Sequence, residues 1–211
     1  MKNRYHILMA DVIGSRDFSH SSMFIDGFRS LVTEANKKFK TKILSPLTIT
    51  LGDEFQGIIG DRESAFDIIY FLNETIYRNK CQFKLRYSIV YGEIDTSINS
   101  NIAYNMYGQG LTDAREGLSI IKNSESKIYI KIDQKIDRKL TLCFKLYNSI
   151  TSEWRIAEYA KIDLLLKHRN YKVLMEKGYY QSASGAWKKM KALKIDDYFS
   201  LKELIFAILE T

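Results

Sequence analysis

The stretch YHILMADVI, residues 5–13, constrains the fold more than any other part of the chain. It is almost continuously apolar, with one acid near its end. A membrane span needs about 20 apolar residues, so the run is too short for one. It is also too unbroken for a surface strand, in which apolar and polar residues alternate. It reads as a buried central strand, and a central strand needs neighbours on both sides.

The next segments supply them. Ser21 and Ser22 can cap a helix that carries Phe24, Phe28, Leu31, Val32, Ala35 and Phe39 at helical spacing. Pro46, the only proline, introduces LTITL; a Gly52-Asp53 turn follows, and EFQGII returns as the second arm of a hairpin. Asp61 can cap a helix striped with Ala65, Phe66, Ile69, Leu72 and Ile76. FKLRYSIVY (83–91) alternates, with Phe83, Leu85, Tyr87, Ile89 and Tyr91 on one face. Leu111, Ala114, Leu118 and Ile121 mark a further helix, and KIYIKI (127–132) and LTLCFKLY (140–147) read as a closing pair of strands. The expected fold is α+β: a ferredoxin-like βαββαβ sheet with helices on one face, then α-β-β. From about residue 150 no convincing strand remains. The expected division is a sheet domain over 1–149 and a small all-α domain over 150–211.

The acids and the net charge point toward ligands. Asp11 falls at the end of the first strand, and Asp53 falls at the hairpin tip, with Glu54 beside it. In a split-βαβ sheet these segments are neighbours. Two close carboxylates repel unless a cation or proton lies between them. Mg2+ takes one or two carboxylates plus phosphate oxygens, so Asp11 and Asp53 are candidate ligands for Mg2+ or Mn2+. Glu54 either adds a third ligand or points to the opposite face. Gly-Asp is also a good turn dipeptide, and Asp ends many strands, so a purely structural role explains the same residues. Gly14, Ser15, Arg16 and Gly52 are candidate nucleotide contacts; Arg16 equally suits a solvated loop. The formal net charge of +7 favours anionic partners.

Other patterns are excluded. GDEFQG (52–57) has P-loop glycine spacing, but Ile58 and Ile59 stand where Lys and Ser/Thr are required. GQG at 108–110 lacks the third glycine of a dinucleotide fingerprint, since Asp113 occupies that place. It opens a helix whose N-terminus either faces a phosphate or simply follows a turn. Gly92 either allows close backbone approach or ends its strand. His6, His20 and His168 have no metal spacing. Cys81 and Cys143 read as buried thiols in a reducing compartment. With no apolar run near membrane-spanning length and no signal-peptide pattern, the expectation is a soluble, cytoplasmic protein.

Near the C-terminus, YKVLMEKGYYQSASGAWKKMKAL (171–193) reads as a helix, a turn near Gly178 and a second helix from Ser182. As a helix-turn-helix it would use Ser182 and Ser184 to read double-stranded DNA and Lys188, Lys189 and Lys191 to hold phosphates. Gly185 weakens that helix and Trp187 is bulky for its place. A packing module with solvated lysines accounts for the same residues. The last helix should bury Leu201, Leu204, Ile205 and Ile208.

Four blocks together, ADVIGSR (10–16), GDEFQG (52–57), RYSIVYGEI (86–94) and YGQGLTDAREGL (107–118), resemble the SatD family. More distantly, they are similar to class III nucleotide cyclases and GGDEF diguanylate cyclases. The resemblance implies a palm-like domain in which Asp11 and Asp53 bind metal. Arg115 matches the transition-state arginine. In class III cyclases a partner subunit supplies that arginine, so a homodimer is also implied, and the SatD resemblance implies a C-terminal helix-turn-helix. There are departures. Ile49 stands where cyclases carry a base-selecting lysine, Leu111 stands where they carry an asparagine, and the Gly108–Arg115 spacing is one residue shorter. Leu51 replaces the first glycine of a GGDEF turn. The expected function is a regulator that binds a nucleotide with Mg2+ and passes that state to DNA. The alternatives are a divergent nucleotide cyclase or nucleotidyltransferase working as a homodimer, and a protein-binding module.

Overall fold

A computed structural model of the chain describes residues 3–15 and 22–211. The expected cap Ser21, with Arg16 and His20, lies outside them. The elements run β1 (Arg4–Val12), α1 (Ser22–Lys38), β2 (Ile43–Ile49), β3 (Glu54–Ile59), α2 (Arg62–Arg78), β4 (Leu85–Glu93), α3 (Gln109–Lys122), β5 (Ile128–Lys131) and α4 (Asp137–Ser152). A single 3-10 turn (Ile156–Glu158) then leads into α5 (Tyr159–His168), α6 (Lys172–Glu176), α7 (Ala183–Ala192) and α8 (Ile195–Leu209).

Among the described residues the strands form one sheet in the order β2-β3-β1-β4-β5. β1 is central, antiparallel to both β3 and β4, and β5 joins β4 in parallel. The first four strands have the ferredoxin-like order; β5 is an addition that α3 carries across. β2 is irregular against β3, with register shifts on both sides of Ser45.

β1 is buried because the sheet is covered on both faces. Leu8, Ala10 and Val12 pack into a large cluster with Phe28 and Leu31 of α1 and Phe66 and Ile69 of α2. Ile7 and Met9 face the other way, into a smaller cluster with Ala114, Leu118 and Ile121 of α3. This corrects the expectation of helices on one face only. The continuous apolar run is the reason: a strand with no polar face needs cover above and below.

α3 lies directly on the backbone of β4. A Cβ at Gly92 would come within 2.4 Å of Gly110 Cα, and one at Gly117 would meet the Tyr129 ring at 2.3 Å and Ser88 Oγ at 2.6 Å. Close backbone approach is therefore what Gly92 and the GQG segment provide. Asp113 of α3 is fixed to β5 by Lys131 at 2.6 Å, which holds its carboxyl below the usual range.

Residues 140–147 are helical, not a strand; they lie within α4. Leu140, Cys143, Phe144, Tyr147 and Ile150 form its buried face, and they join the large cluster beneath α2. Residue 149 falls inside this helix, and the same cluster runs on through Trp154, Ile162, Leu174, Tyr198 and Ile205. Trp154 Nε1 donates to Leu193 O at 2.9 Å, and Tyr198 and Lys202 of α8 both donate to Glu74 of α2, at 2.8 and 2.9 Å. In α8, Leu201 and Ile205 are buried as expected, whereas Leu204 is exposed and Leu209 takes a core place.

Residues 171–193 form α6 and α7. Ser182 caps α7 by accepting from Gly185 N at 3.2 Å. α6 spans only five residues, and positions 177–182 separate it from α7. Lys177 caps α6 and Ser182 caps α7, which leaves residues 178–181 as the turn between them. No helix is long and apolar enough to cross a membrane among the described residues.

Candidate functional site

The register of the sheet sets one row of side chains. Asp11 lies opposite Glu54 on β3 and opposite Arg86 on β4. By strand alternation all three share the face that α3 covers. Glu54 comes straight out of the β2–β3 turn, in which Gly52 adopts a positive φ of +87° that a side chain would strain. The turn is bound to β1, because Val12 N donates to Asp53 O at 2.9 Å. Asp53 thus lies beside the end of β1, as the hairpin reading expects. Gly14 and Ser15 lie in the turn that leaves β1.

α3 brings two cations down onto this row. Arg115 and Lys122 are seven residues apart, two helical turns, and so share a helix face. Arg115 Nη2 is 3.6 Å from Glu54 Oε1, and Thr50 Oγ1 also donates to that oxygen at 3.3 Å. Lys122 Nζ is 3.6 Å from Asp11 Oδ2. Arg86 Nε donates to Asp11 Oδ1, and its Nη1 donates to Lys122 O at 3.2 Å. The Asp11 and Arg86 side chains are only 7% and 11% exposed. Removing one member of such a buried pair strands the other, at about 3–5 kcal/mol.

Burial raises the Asp11 carboxyl above its ordinary value. The Arg86 hydrogen bond and charge and the Lys122 charge pull against that rise, and the negative charge of Asp53 adds to it. Of the two options for Glu54, a third ligand beside Asp11 and Asp53 does not form: among the described residues no group of three or more His, Cys, Asp or Glu side chains is placed to hold a metal ion. Asp11 and Glu54 are occupied by guanidinium and ammonium groups of the chain itself, and as arranged these residues do not fit a resident divalent metal.

Beside the row opens a pocket of about 440 Å³, lined by Gln56, Tyr104, Tyr107, Thr112, Arg115 and Glu116 among others. One wall is the segment joining β4 to α3. That segment is tied back to the hairpin, with Ala103 N donating to Thr48 Oγ1 at 2.9 Å and Gln56 Nε2 donating to Ala103 O. Tyr104 and Tyr107 hold their rings largely in solvent. The pocket therefore offers both aromatic faces and a guanidinium.

The candidate DNA residues lie elsewhere. Lys189 pairs with Glu158 at 3.1 Å, and Lys191 pairs with Asp196 at 2.6 Å. Ser182 is spent on its cap, while Ser184 and Lys188 are exposed. Cys143 is buried and Cys81 half-buried; both are free, and burial pushes both thiols up.

Sequence reasoning missed Arg86, Lys122, Gln56 and the two tyrosines. A signal was present for Arg86, a charge inside an otherwise apolar strand. Its partner is 75 residues away in the chain.

The fold and site together define a split-βαβ sheet protein with a charged row under its crossover helix and a pocket beside it. The chain belongs to the SatD family, whose pattern it matches over residues 5–204. A comparison with curated proteins finds no match. Among solved structures, a bacterial light-regulated adenylyl cyclase is similar with a TM-score of 0.48 and 8% identity, over 61% of this chain and 75% of that one. The guanylyl cyclase domain of the RhoGC fusion protein from Blastocladiella emersonii is similar with a TM-score of 0.42 and 17% identity, over 56% of this chain and 76% of that one.

Proposed function

We propose that this protein binds a nucleoside triphosphate in the pocket beside the acidic row. The observation that carries the reading is the placement of Arg115. It lines the pocket that Tyr104 and Tyr107 also line, and it pairs with Glu54. A purine or pyrimidine stacks on an exposed tyrosine ring, a contact worth about 1–3 kcal/mol per base. Arg115 is 58% exposed and holds Glu54 at a loose distance, so it is free to turn toward a phosphate. Guanidinium groups suit phosphate because they donate paired hydrogen bonds in a plane. The reading does not need a second subunit for this contact, since Arg115 meets an acid of its own chain.

Turnover of the nucleotide by a cyclase-like or nucleotidyltransferase reaction is a second reading of the same pocket, supported by the same arginine. Double-stranded DNA is left out, because Lys189 and Lys191 already have acidic partners.

The test is thermal unfolding of the full chain with each nucleoside triphosphate, in Mg2+, in Mn2+ and in excess chelator, with product analysis of the same samples. A ligand at about 100 times its Kd stabilises the fold by about 2.7 kcal/mol, several degrees in Tm. Arg115→Ala should remove most of that rise, measured against the variant's own unliganded Tm, because Glu54 is only 12% exposed and losing its partner carries a separate cost. If no triphosphate raises Tm in any condition, the proposal fails. A new product would favour the enzyme reading.

A further inference from the structure

We propose that Arg86 is the permanent counter-cation of Asp11 and stands, with Lys122 beside it, where a divalent metal would otherwise bind, so that this protein takes a triphosphate on its own basic side chains without a metal bridge. The last clause rests on the nucleotide reading above; the first does not.

The argument starts from the two oxygens of Asp11. Oδ1 accepts from Arg86 Nε, and Oδ2 has the Lys122 ammonium 3.6 Å away. A magnesium or manganese ion binds carboxylate oxygen at about 2.0–2.2 Å. An ion on Oδ2 alone must displace the Lys122 ammonium and lie beside the Arg86 charge; one that takes both oxygens must push Arg86 off Oδ1. The guanidinium would then lie buried, short of an acceptor and next to a doubly charged ion. Repulsion between like charges and loss of solvation both oppose that exchange. Arginine cannot escape by losing its proton. Nor is it a swinging side chain, because its Nη1 is held by the carbonyl of Lys122 at the end of α3.

Charge balance points to the ligand. Asp11, Asp53 and Glu54 carry three negative charges; Arg86, Lys122 and Arg115 carry three positive ones. The cluster is already neutral, so no metal is needed to relieve repulsion among the acids. Arg86 is buried and stays with Asp11. Lys122 and Arg115 are more than half exposed and sit at loose distances from their acids. An oligophosphate anion can therefore recruit these two cations while Arg86 keeps Asp11 neutralised. The class of ligand is a metal-free nucleoside oligophosphate.

The test is titration of the full chain with Mn2+, followed by the electron paramagnetic resonance of the free ion. Wild type should leave the ion free over the range in which Arg86→Gln/Lys122→Gln takes up one equivalent, a gain in affinity of at least about tenfold. Adding Asp11→Asn should remove the gained site, and Arg86→Lys, which keeps a cation in place, should gain none. Wild type binding Mn2+ as tightly as the double variant, through a site that Asp11→Asn abolishes, overturns the proposal. A double variant that melts cooperatively and gains no site overturns it too.

A second measurement needs no variant: the shift in Tm that ATP gives wild type should be the same in excess chelator as in Mg2+. A shift seen only with Mg2+ overturns the metal-free clause. No shift in either condition removes the nucleotide reading and leaves the counter-cation statement to be decided by the Mn2+ titration.

Discussion

Arg86 and His6 show what single residues hide and reveal. Alternation in FKLRYSIVY assigns Leu85, Tyr87 and Ile89 to one face, and those side chains are buried there. It leaves Arg86 on the other face but does not say what lies opposite. That depends on the pairing of β4 with β1, which is a long-range choice of the folded chain. Asp11 was legible because an acid at the end of an apolar run is conspicuous; its partner was not, because register is not a local property. His6 read as an ordinary histidine, and its ring stacks on Tyr91 with centroids 4.6 Å apart. Burial lowers its pKa, with Asp61 and Glu63 pulling the other way. A histidine with a depressed folded pKa contributes fully above its unfolded value of about 6.5, and that contribution is lost as pH falls through the folded value. Wild type should therefore lose more stability between about pH 8 and about pH 5 than His6→Phe, which keeps the ring but cannot titrate. Urea midpoints at the two pH values would show this. Equal losses would mean that His6 does not titrate in that window.

At the scale of elements, α4 and α3 gave opposite lessons. LTLCFKLY alternates, and a strand would have buried Leu142 and Leu146 with Leu140 and Phe144. Those two are 52% and 59% exposed. The helical period was there as well, at Leu140, Cys143, Phe144 and Tyr147. Over eight residues both periods share Leu140 and Phe144, and only the continuation to Ile150 separates them. For α3 the glycines were visible, but their purpose was not, since close approach needs two segments. Gly110→Ala should destabilise the protein by about 1–3 kcal/mol, because the new Cβ would lie 2.7 Å from the Gly92 backbone and from Ile7 Cδ1. Gly27→Ala in α1 is the contrast. There the Cβ would meet Phe83 at 3.7 Å and Cys81 at 3.9 Å, ordinary contact distances. It should stabilise by about 0.5–1 kcal/mol through helix propensity. Chemical denaturation of both variants checks the pair, and the same sign for both would refute the packing argument.

For the whole molecule, the described elements after residue 150 are all helical, as the loss of strand pattern there suggests. What composition could not show is that the later helices complete the core of the earlier ones. Tyr70 of α2 packs its ring against both Tyr147 of α4 and Tyr198 of α8. A chain ending at residue 149 would leave those faces wet. It should aggregate or fail to fold, whereas the full chain should unfold in one cooperative transition. A soluble, cooperatively melting 1–149 fragment would show instead that two independent units exist. The ends of the sheet carry a last consequence. Its outer strands are β2, whose register is broken on both sides of Ser45 and which contains Pro46, and β5, which is only four residues long. A proline and an irregular ladder spoil the straight row of free amides that a neighbouring molecule would need to add a strand, and a four-residue edge gives little to hold. Copies of this protein are thus guarded against fibrous growth by strand addition at either edge.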